Sequence, residues 1–330
     1  MMDHRILFDI LYAQAAAGER RQRLFGSCLS SARAAFARSL AGSAFPEVWF
    51  EVPLLGEPRF DLHVLISHDQ LDTAADSLPK KAGIFEETFS WFAGRKHGVR
   101  QLALSWDLKP DEIAEPAIQL LVSERNPEIV AGFLQAAGRA DGIAAYKTFS
   151  SRLPEGWFAC YSGVFPGRPG AGVRVECIPD KTLQSAYAED PELLRQHLAR
   201  TGFTAFGDTL LPRCRQFAQT PFDLEFQFDI GTDGTPGPVL GASLRFACPP
   251  GEADWQCFDA NGEAGVLMRL IEKWGLADDR WRLLNDTMFA TRIKHGGEQC
   301  RLFCFTAFVK HRWRSGEPLD AKTYLMAGTY

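Results

Sequence analysis

The sequence predicts an α+β protein, a closed antiparallel barrel of about ten strands from five α-β-β units, ringed by helices. Three observations lead to this prediction. Strand pairs open near residues 48, 99, 156, 222 and 287, a helical pattern precedes each pair, and the strands alternate apolar and polar residues. Helices between antiparallel strand pairs must cover one face of the sheet, and ten twisted strands tend to curl and close.

Composition limits the class of protein. The chain has 330 residues, 46% of them hydrophobic, with 36 basic and 41 acidic side chains and a net charge of −5. This balance fits a globular protein and argues against a broadly basic nucleic-acid surface. No apolar run is long enough for a membrane helix. We therefore expect a single domain over 1–330 that binds neither nucleic acid nor membrane, as a monomer or weak homodimer.

Cysteine usage and the N-terminus bear on location. Eight cysteines are scattered without a CxxC pair, and the first residues lack the apolar core of a signal peptide. We expect reduced thiols in a cytoplasmic protein.

The first two units follow the predicted order. The helical stretch within 5–41 has apolar residues spaced three and four apart: Phe25, Cys28, Leu29, Ala32 and Phe36. Strand-like runs at 48–52 and 60–67 flank a Pro/Gly turn. The second helix presents Phe85, Thr88, Phe89 and Phe92 on one face and leads to runs at 99–108 and 117–123.

The remaining units repeat this order. Helical runs within 127–150 precede strands at 156–164 and 173–178, and helices near 181–199 and 207–218 precede strands at 222–230 and 239–247. The fifth helix carries a stripe of Val266, Leu267, Leu270, Ile271 and Trp274. It is followed by strand-like runs at 288–294, 300–314 and 322–327.

Alternation along the strands predicts which side chains face inward. In FDLEFQFDI (222–230) the apolar residues share one face, and Asp223, Glu225, Gln227 and Asp229 share the other. If helices cover the apolar face, the charged face lines the lumen of the barrel. An open, half-buried sheet shows the same alternation, so two stacked antiparallel sheets stay an alternative at this point.

Five α-β-β units, ten strands and a polar lumen resemble the ABBA, or PT-barrel, prenyltransferases. The resemblance covers the whole chain and rests on architecture, most closely that of cyanobactin-type bacterial peptide prenyltransferases. It implies transfer of an isoprenoid, dimethylallyl in the first instance, from its diphosphate to an electron-rich side chain of a peptide or small aromatic acceptor. In keeping with it, the chain has no DDxxD motif and no glycine-rich nucleotide loop.

Such a reaction needs a cationic clamp for the diphosphate. The candidates lie on the strand faces that are predicted to point inward. They are Arg174, Arg245, Lys310, Arg312, Lys322 and Tyr324. Two of them, Lys322 and Tyr324, belong to the run Lys322-Thr323-Tyr324, which matches the form of the family's Lys/Tyr pairs. A solvated strand end is the alternative for Lys310 to Arg314. For Arg174 and Arg245 the alternative is an internal ion pair with Glu176, Asp223 or Glu225.

The resemblance also implies an aromatic shield for the allylic cation and a carboxylate that accepts the proton. Trp49, Trp157 and Tyr161, with Tyr324, are the candidates for the shield, and ordinary packing is the alternative. Glu51 lies on the first strand, where the family places its catalytic acid; a carboxylate paired with a lumen arginine is the alternative. Asp61, His63 and Glu225 are candidates for binding the acceptor, with a structural hydrogen bond as the alternative for His63.

Acidic residues are numerous on the predicted inner face. A bare diphosphate would be repelled unless some of them bind Mg2+ or lie at the far end of the lumen, so Mg2+ is the expected cofactor. An acid-rich lumen also suits a cationic acceptor. A barrel that binds a peptide or small ligand without catalysis is the alternative function.

Overall fold

In the computed structural model, the described residues are 4–39, 45–68, 83–95, 97–110, 112, 114–168, 172–246, 258–295 and 298–329. Two of the eight cysteines, Cys248 and Cys257, lie outside these ranges. Within them the central feature is one antiparallel sheet that closes on itself. Ten strands form the ring β1-β2-β3-β4-β5-β6-β7-β8-β10-β11, and β11 pairs back onto β1. The predicted closed barrel is confirmed.

The strands lie close to their predicted positions. They are β1 (Glu47–Pro53), β2 (Asp61–Ile66), β3 (Val99–Trp106), β4 (Ala117–Val122), β5 (Trp157–Val164), β6 (Val173–Pro179), β7 (Asp223–Ile230), β8 (Pro236–Arg245), β9 (Phe289–His295), β10 (Glu298–Arg314) and β11 (Glu317–Thr329). The fifth unit differs from the other four because it has three strands. β9 pairs only with 298–304 of β10 and stays outside the ring, which the later part of β10 and β11 complete. The hairpin predicted to open near 287 is therefore an accessory strand next to the true fifth pair.

Helices surround the barrel on its outer face. They are α1 (His4–Ala15), α2 (Leu29–Ser39), α3 (Gly83–Ala93), α4 (Pro127–Ala136), α5 (Gly142–Ser151), α6 (Lys181–Glu189), α7 (Pro191–Arg200), α8 (Leu210–Ala218), α9 (Glu263–Lys273) and α10 (Leu284–Thr287), with a π-helical turn at Arg21–Phe25 and a 3₁₀ turn at Asp279–Leu283. The first predicted helical stretch is thus two helices and a π turn. Among the described helices, none has the length and apolar character to cross a lipid bilayer.

The hydrophobic core lies between the helices and the outer face of the barrel. Along β7, the outward side chains Leu224, Phe226, Phe228 and Ile230 are at most 1% exposed. Phe149 of α5 packs on Phe228 with 5.3 Å between ring centroids. Burial of aromatic and aliphatic side chains at about 25 cal/mol per Å² holds the helices in place. The polar residues of the same strand are then left to face the lumen, as the alternation predicts.

A two-residue turn fixes the register of the last hairpin. Ser315 and Gly316 join β10 to β11, and both have positive φ (52° and 82°), as a type I′ turn requires. A β-bulge between Arg312 and Trp313 then shifts this register by one residue, which places Lys310 opposite Lys322. Two candidate clamp residues are therefore neighbours on the inner face.

Candidate active site

The lumen contains a cavity of about 520 Å³, within the usual range for small-molecule sites. Seven of the predicted site residues line it: Glu51, His63, Arg174, Lys310, Arg312, Lys322 and Tyr324. The β3–β4 and β5–β6 loops form its rim. Rim residues in these loops are Asp107, Lys109, Glu112, Ala114, Glu115, Phe165, Gly167 and Arg168. The strands thus bring most of the predicted site together near one end of the barrel.

Glu51 is the centre of a hydrogen-bonded chain across four strands. Lys322 Nζ, from β11, donates to Glu51 Oε1. His63 Nε2, from β2, lies 3.1 Å from Glu51 Oε2, and His63 Nδ1 lies 2.6 Å from Ser105 Oγ on β3. Both carboxylate oxygens of Glu51 are therefore engaged, and the side chains of both Glu51 and Lys322 are only 12% exposed.

The pKa values of Glu51 and the neighbouring Asp61 are shifted in opposite directions. Burial by itself would raise the pKa of Glu51, but Lys322 and His63 more than offset it and hold this pKa well below its ordinary value. Burial and repulsion from Glu51 instead raise the pKa of Asp61 to about 6. Asp61 Oδ1 accepts a hydrogen bond from the backbone N–H of Leu108 at 2.9 Å. Asp61 does not line the cavity. Its hydrogen bond to Leu108 instead supports the loop after β3.

The other cations of the cavity are also paired. Arg174 makes a two-pronged contact with Asp229, at 2.7 and 3.1 Å. Lys310 Nζ lies 3.3 Å from Glu176 Oε1.

Arg312 Nε donates to Asp320 Oδ1 at 2.7 Å. Three of the inner-face acids expected to suit a cationic acceptor, Glu51, Glu176 and Asp229, are thus already neutralised by lysine or arginine. This removes the charge argument for such an acceptor.

Arg245 and Glu225 lie further into the barrel and do not line the cavity. Their ion pair has an Arg245 Nη2 to Glu225 Oε1 distance of 2.5 Å. This is the internal pair that the sequence left open as an alternative. Glu225 is 1% exposed, and burial raises its pKa to about 7 against the opposing effect of Arg245.

Aromatic side chains fill the lumen beyond the charged layer. On the inner face, the Glu51–Tyr324 pair is followed by the Trp49–Met326 pair, which lies further from the rim of the cavity. The Trp49 and Phe308 rings lie 4.8 Å apart, and those of Phe308 and Tyr324 5.8 Å apart. Lys310 Nζ lies 5.2 Å from the centroid of the Tyr324 ring. A cation formed next to Lys310 would therefore face an aromatic surface.

Trp157 does not belong to this aromatic layer, and its predicted inward orientation is wrong. A β-bulge between Ala159 and Tyr161 shifts the register of β5 by one residue, which reverses the facing of the residues before it. Trp157 therefore points to the helices, stacks on Phe226 at 5.2 Å and donates from Nε1 to Tyr187 Oη at 2.7 Å. Tyr161, after the bulge, keeps the inward parity, although it does not line the cavity.

Several cavity residues were not among the candidates. Gln119 comes from β4, where no charged residue signalled the inner face, whereas Ser105 has the parity of the inward-facing Asp107 and could have been found. Gln227 shares the charged face of β7, and parity was sufficient to find it. Phe165 and Arg168 lie in a Gly/Pro turn, where alternation carries no information. In the structure, the Arg168 and Arg174 guanidinium groups lie 4.7 and 4.5 Å from the centroid of the Phe165 ring.

The carboxylates of the described residues do not form a metal site. Within the described ranges, no three His, Cys, Asp or Glu side chains lie close enough together to hold an ion. Glu51, Glu176 and Asp229 are each held by a lysine or arginine, which competes with a divalent cation for the same oxygens. The described residues therefore do not fit Mg2+ bound by the protein alone.

The closed ring of ten antiparallel strands, jacketed by helices around a polar lumen, is the ABBA or PT-barrel fold. No protein-family model matches the chain, and no curated protein matches its sequence. A solved structure does match over nearly the full length. It is 6-dimethylallyltryptophan synthase from Micromonospora olivasterospora in complex with DMASPP and Trp, with 13% identity, a TM-score of 0.53, and 98% of this chain and 97% of that chain covered.

Two further solved structures are similar at lower TM-scores. AnaPT from Neosartorya fischeri has 12% identity and a TM-score of 0.45, with 99% of this chain and 90% of that chain covered. A 6-dimethylallyl tryptophan synthase has 13% identity and a TM-score of 0.48, with 84% and 80% covered. The likeness to the Micromonospora structure, at 13% identity and a TM-score of 0.53, supports the fold alone, and the chemistry has to be argued from the residues of this chain.

Proposed function

We propose that this protein is a prenyltransferase that moves an isoprenoid from its diphosphate to an electron-rich acceptor inside the barrel. One observation carries the proposal. Four cations, Arg174, Lys310, Arg312 and Lys322, line the same cavity as the carboxylate of Glu51 and the ring of Tyr324. Diphosphate binding, shielding of a carbocation and proton acceptance require these three kinds of group within one small site.

The cavity and the similar structure support a particular donor and class of acceptor. The protein from Micromonospora was solved with DMASPP and Trp, which supports a dimethylallyl donor and an aromatic acceptor here. A cavity of about 520 Å³ suits a five-carbon donor next to one aromatic ring. We propose that the ring belongs to a free small molecule or to a peptide side chain. A peptide acceptor would mean that the protein acts in peptide modification, and we propose that it does so in the cytoplasm.

The proposed reaction assigns one task to each group. The C–O bond between the allylic carbon and the diphosphate breaks, and the diphosphate takes the electron pair while the lysines and arginines hold it. The allylic cation forms against Tyr324 and Phe308. The acceptor ring attacks it to form the new C–C or C–heteroatom bond, and the displaced proton passes to the Glu51 carboxylate.

The test is a product assay with intact-mass detection. The purified protein is incubated with dimethylallyl diphosphate and, in separate reactions, with tryptophan, tyrosine, and peptides that contain Trp, Tyr, Arg or His. We expect a mass increase of one C5H8 unit on an aromatic acceptor, and a loss of about 10² or more in rate for Glu51→Gln. Binding of the donor without a product on any acceptor would favour a non-catalytic binding barrel.

Mg2+ enters the proposal as a partner of the diphosphate, because the carboxylates of Glu51 and Glu176 are each occupied by a lysine. EDTA is then expected to weaken donor binding and to leave the melting temperature of the ligand-free protein unchanged. A fall in that melting temperature would show that the protein itself holds a metal.

A further inference from the structure

Lys322 has two roles that compete for one ammonium group. It lines the cavity as part of the proposed diphosphate clamp, and it donates to Glu51 Oε1 in the ligand-free protein. A carboxylate paired in this way is a weak proton acceptor, since its charge is already stabilised. The same residue that holds the donor therefore keeps the proposed base inactive while no donor is present.

We propose that the donor diphosphate withdraws Lys322 from Glu51, and that the released Oε1 is the atom that accepts the proton. His63 keeps its contact with Oε2, and Ser105 fixes the imidazole from behind. This inference rests on the proposed function and adds to it an order of events. The donor binds first and converts Glu51 into a base, and only then does proton removal from the acceptor become effective.

His63 and Ser105 are positioning residues in this scheme. The His63 imidazole is held at both nitrogens, by Glu51 at 3.1 Å and by Ser105 at 2.6 Å. Since each contact comes from a different strand, the carboxylate keeps its place after Lys322 has moved. In the chemical step the proton leaves the acceptor as the new bond forms. It ends on Glu51 Oε1, and the diphosphate leaves with the electron pair of the broken C–O bond.

Several other charged or titratable groups act on Glu51 from neighbouring strands. They are Asp61 and His63 on β2, Tyr161 on β5, Arg312 on β10, and Lys322 and Tyr324 on β11. Arg312 is held by Asp320, and the tyrosines are neutral. Lys322 is therefore the cation whose departure changes Glu51 most.

The test uses the opposite effects that Glu51→Gln should have on binding and on turnover. Without the competing carboxylate, Lys322 is free for the donor, so the affinity for DMASPP measured by calorimetry should increase about fivefold or more. Turnover with dimethylallyl diphosphate should fall about 10²-fold or more, because the base is gone. Glu155→Gln, the same change at an exposed glutamate before β5, should alter neither quantity.

A second pair of variants tests the positioning residues and does not disturb the charged pair. Ser105→Ala should lower kcat about tenfold and leave the donor KM unchanged, and Ser105→Thr should restore kcat to within about twofold. Circular dichroism verifies that each variant is folded. Wild-type kcat in Ser105→Ala, or a defect that Thr does not rescue, would overturn the positioning role.

The outcomes separate this inference from the proposed function. If wild-type protein neither binds DMASPP nor forms a product, the proposed function is wrong. If the wild type is active and Glu51→Gln binds DMASPP with unchanged or weaker affinity, the sharing of Lys322 is wrong and the proposed function stands.

Discussion

The buried pair of Glu225 and Arg245 gives the structure a measurable dependence on pH. Glu225 is 1% exposed, and its pKa is raised from its ordinary value of 4.5 to about 7. The folded protein therefore holds this proton more tightly than the unfolded chain does. Stability from this group is present at low pH and is lost as pH rises from about 4.5 through 7. Glu225→Gln removes the titrating group and keeps the shape of the side chain.

The size of the effect follows from the two pKa values. Each pKa unit corresponds to about 1.4 kcal/mol, so the free energy of unfolding should fall by about 3 kcal/mol across this window in the wild type. The variant also leaves Arg245 without its partner, which adds a cost that does not change with pH. The difference in stability, variant minus wild type, should therefore rise by about 3 kcal/mol between the acidic and the neutral end.

Urea unfolding followed by tryptophan fluorescence, at half-unit steps of pH across and beyond this window, measures that difference. Glu155→Gln is the matched control and should run parallel to the wild type. Asp61, whose pKa is also raised, titrates in every variant and cancels in the comparison. Parallel curves for Glu225→Gln and wild type would show that Glu225 is not held protonated in the fold, and would refute this account of the deep lumen.

Three further predictions concern the roles of single side chains. Trp157→Phe should cost about 1 kcal/mol of stability through the lost hydrogen bond to Tyr187, with unchanged kcat, because the ring lies outside the lumen; a large loss of kcat in a stably folded variant would contradict this. Tyr324→Phe should keep most of the turnover and Tyr324→Leu should lose about tenfold, since the ring face is what a cation meets; equal rates in a steady-state assay would exclude the shield. Arg312→Met should raise the donor KM about tenfold and leave the acceptor KM within twofold, and the reverse pattern would remove Arg312 from the clamp.

The part of the fold that follows from strict alternation was predictable. In β7, the apolar residues from Leu224 to Ile230 pack outward, so Gln227 and Asp229 could be placed on the opposite, inner face from the sequence. Strand number and the need to cover one face favoured a closed ring, while two stacked antiparallel sheets fitted the same alternation. Because Glu51, His63 and Lys322 fall on regular strands, their meeting in one cavity also followed from parity.

The remainder depends on features that alternation does not encode. One extra residue in β5 turned Trp157 away from the lumen, and a bulge of this kind has no sequence signal beyond the residues themselves. The extra strand β9 looked like a barrel strand because its residues have the same strand-forming character. Pairing of each cation with a particular acid, such as Lys310 with Glu176, depends on which strands are neighbours and on their register. From the sequence alone, several acids were possible partners for a given cation.

The claim on which the account depends is that the diphosphate is held inside the barrel by the lumen cations. A crystal structure of the protein grown with DMASPP tests it directly. We expect the diphosphate in contact with Lys310, Arg312 and Lys322, the hydrocarbon tail against Tyr324, and Lys322 moved away from Glu51. Diphosphate density on the outer surface, with the lumen ion pairs unchanged, would contradict the account.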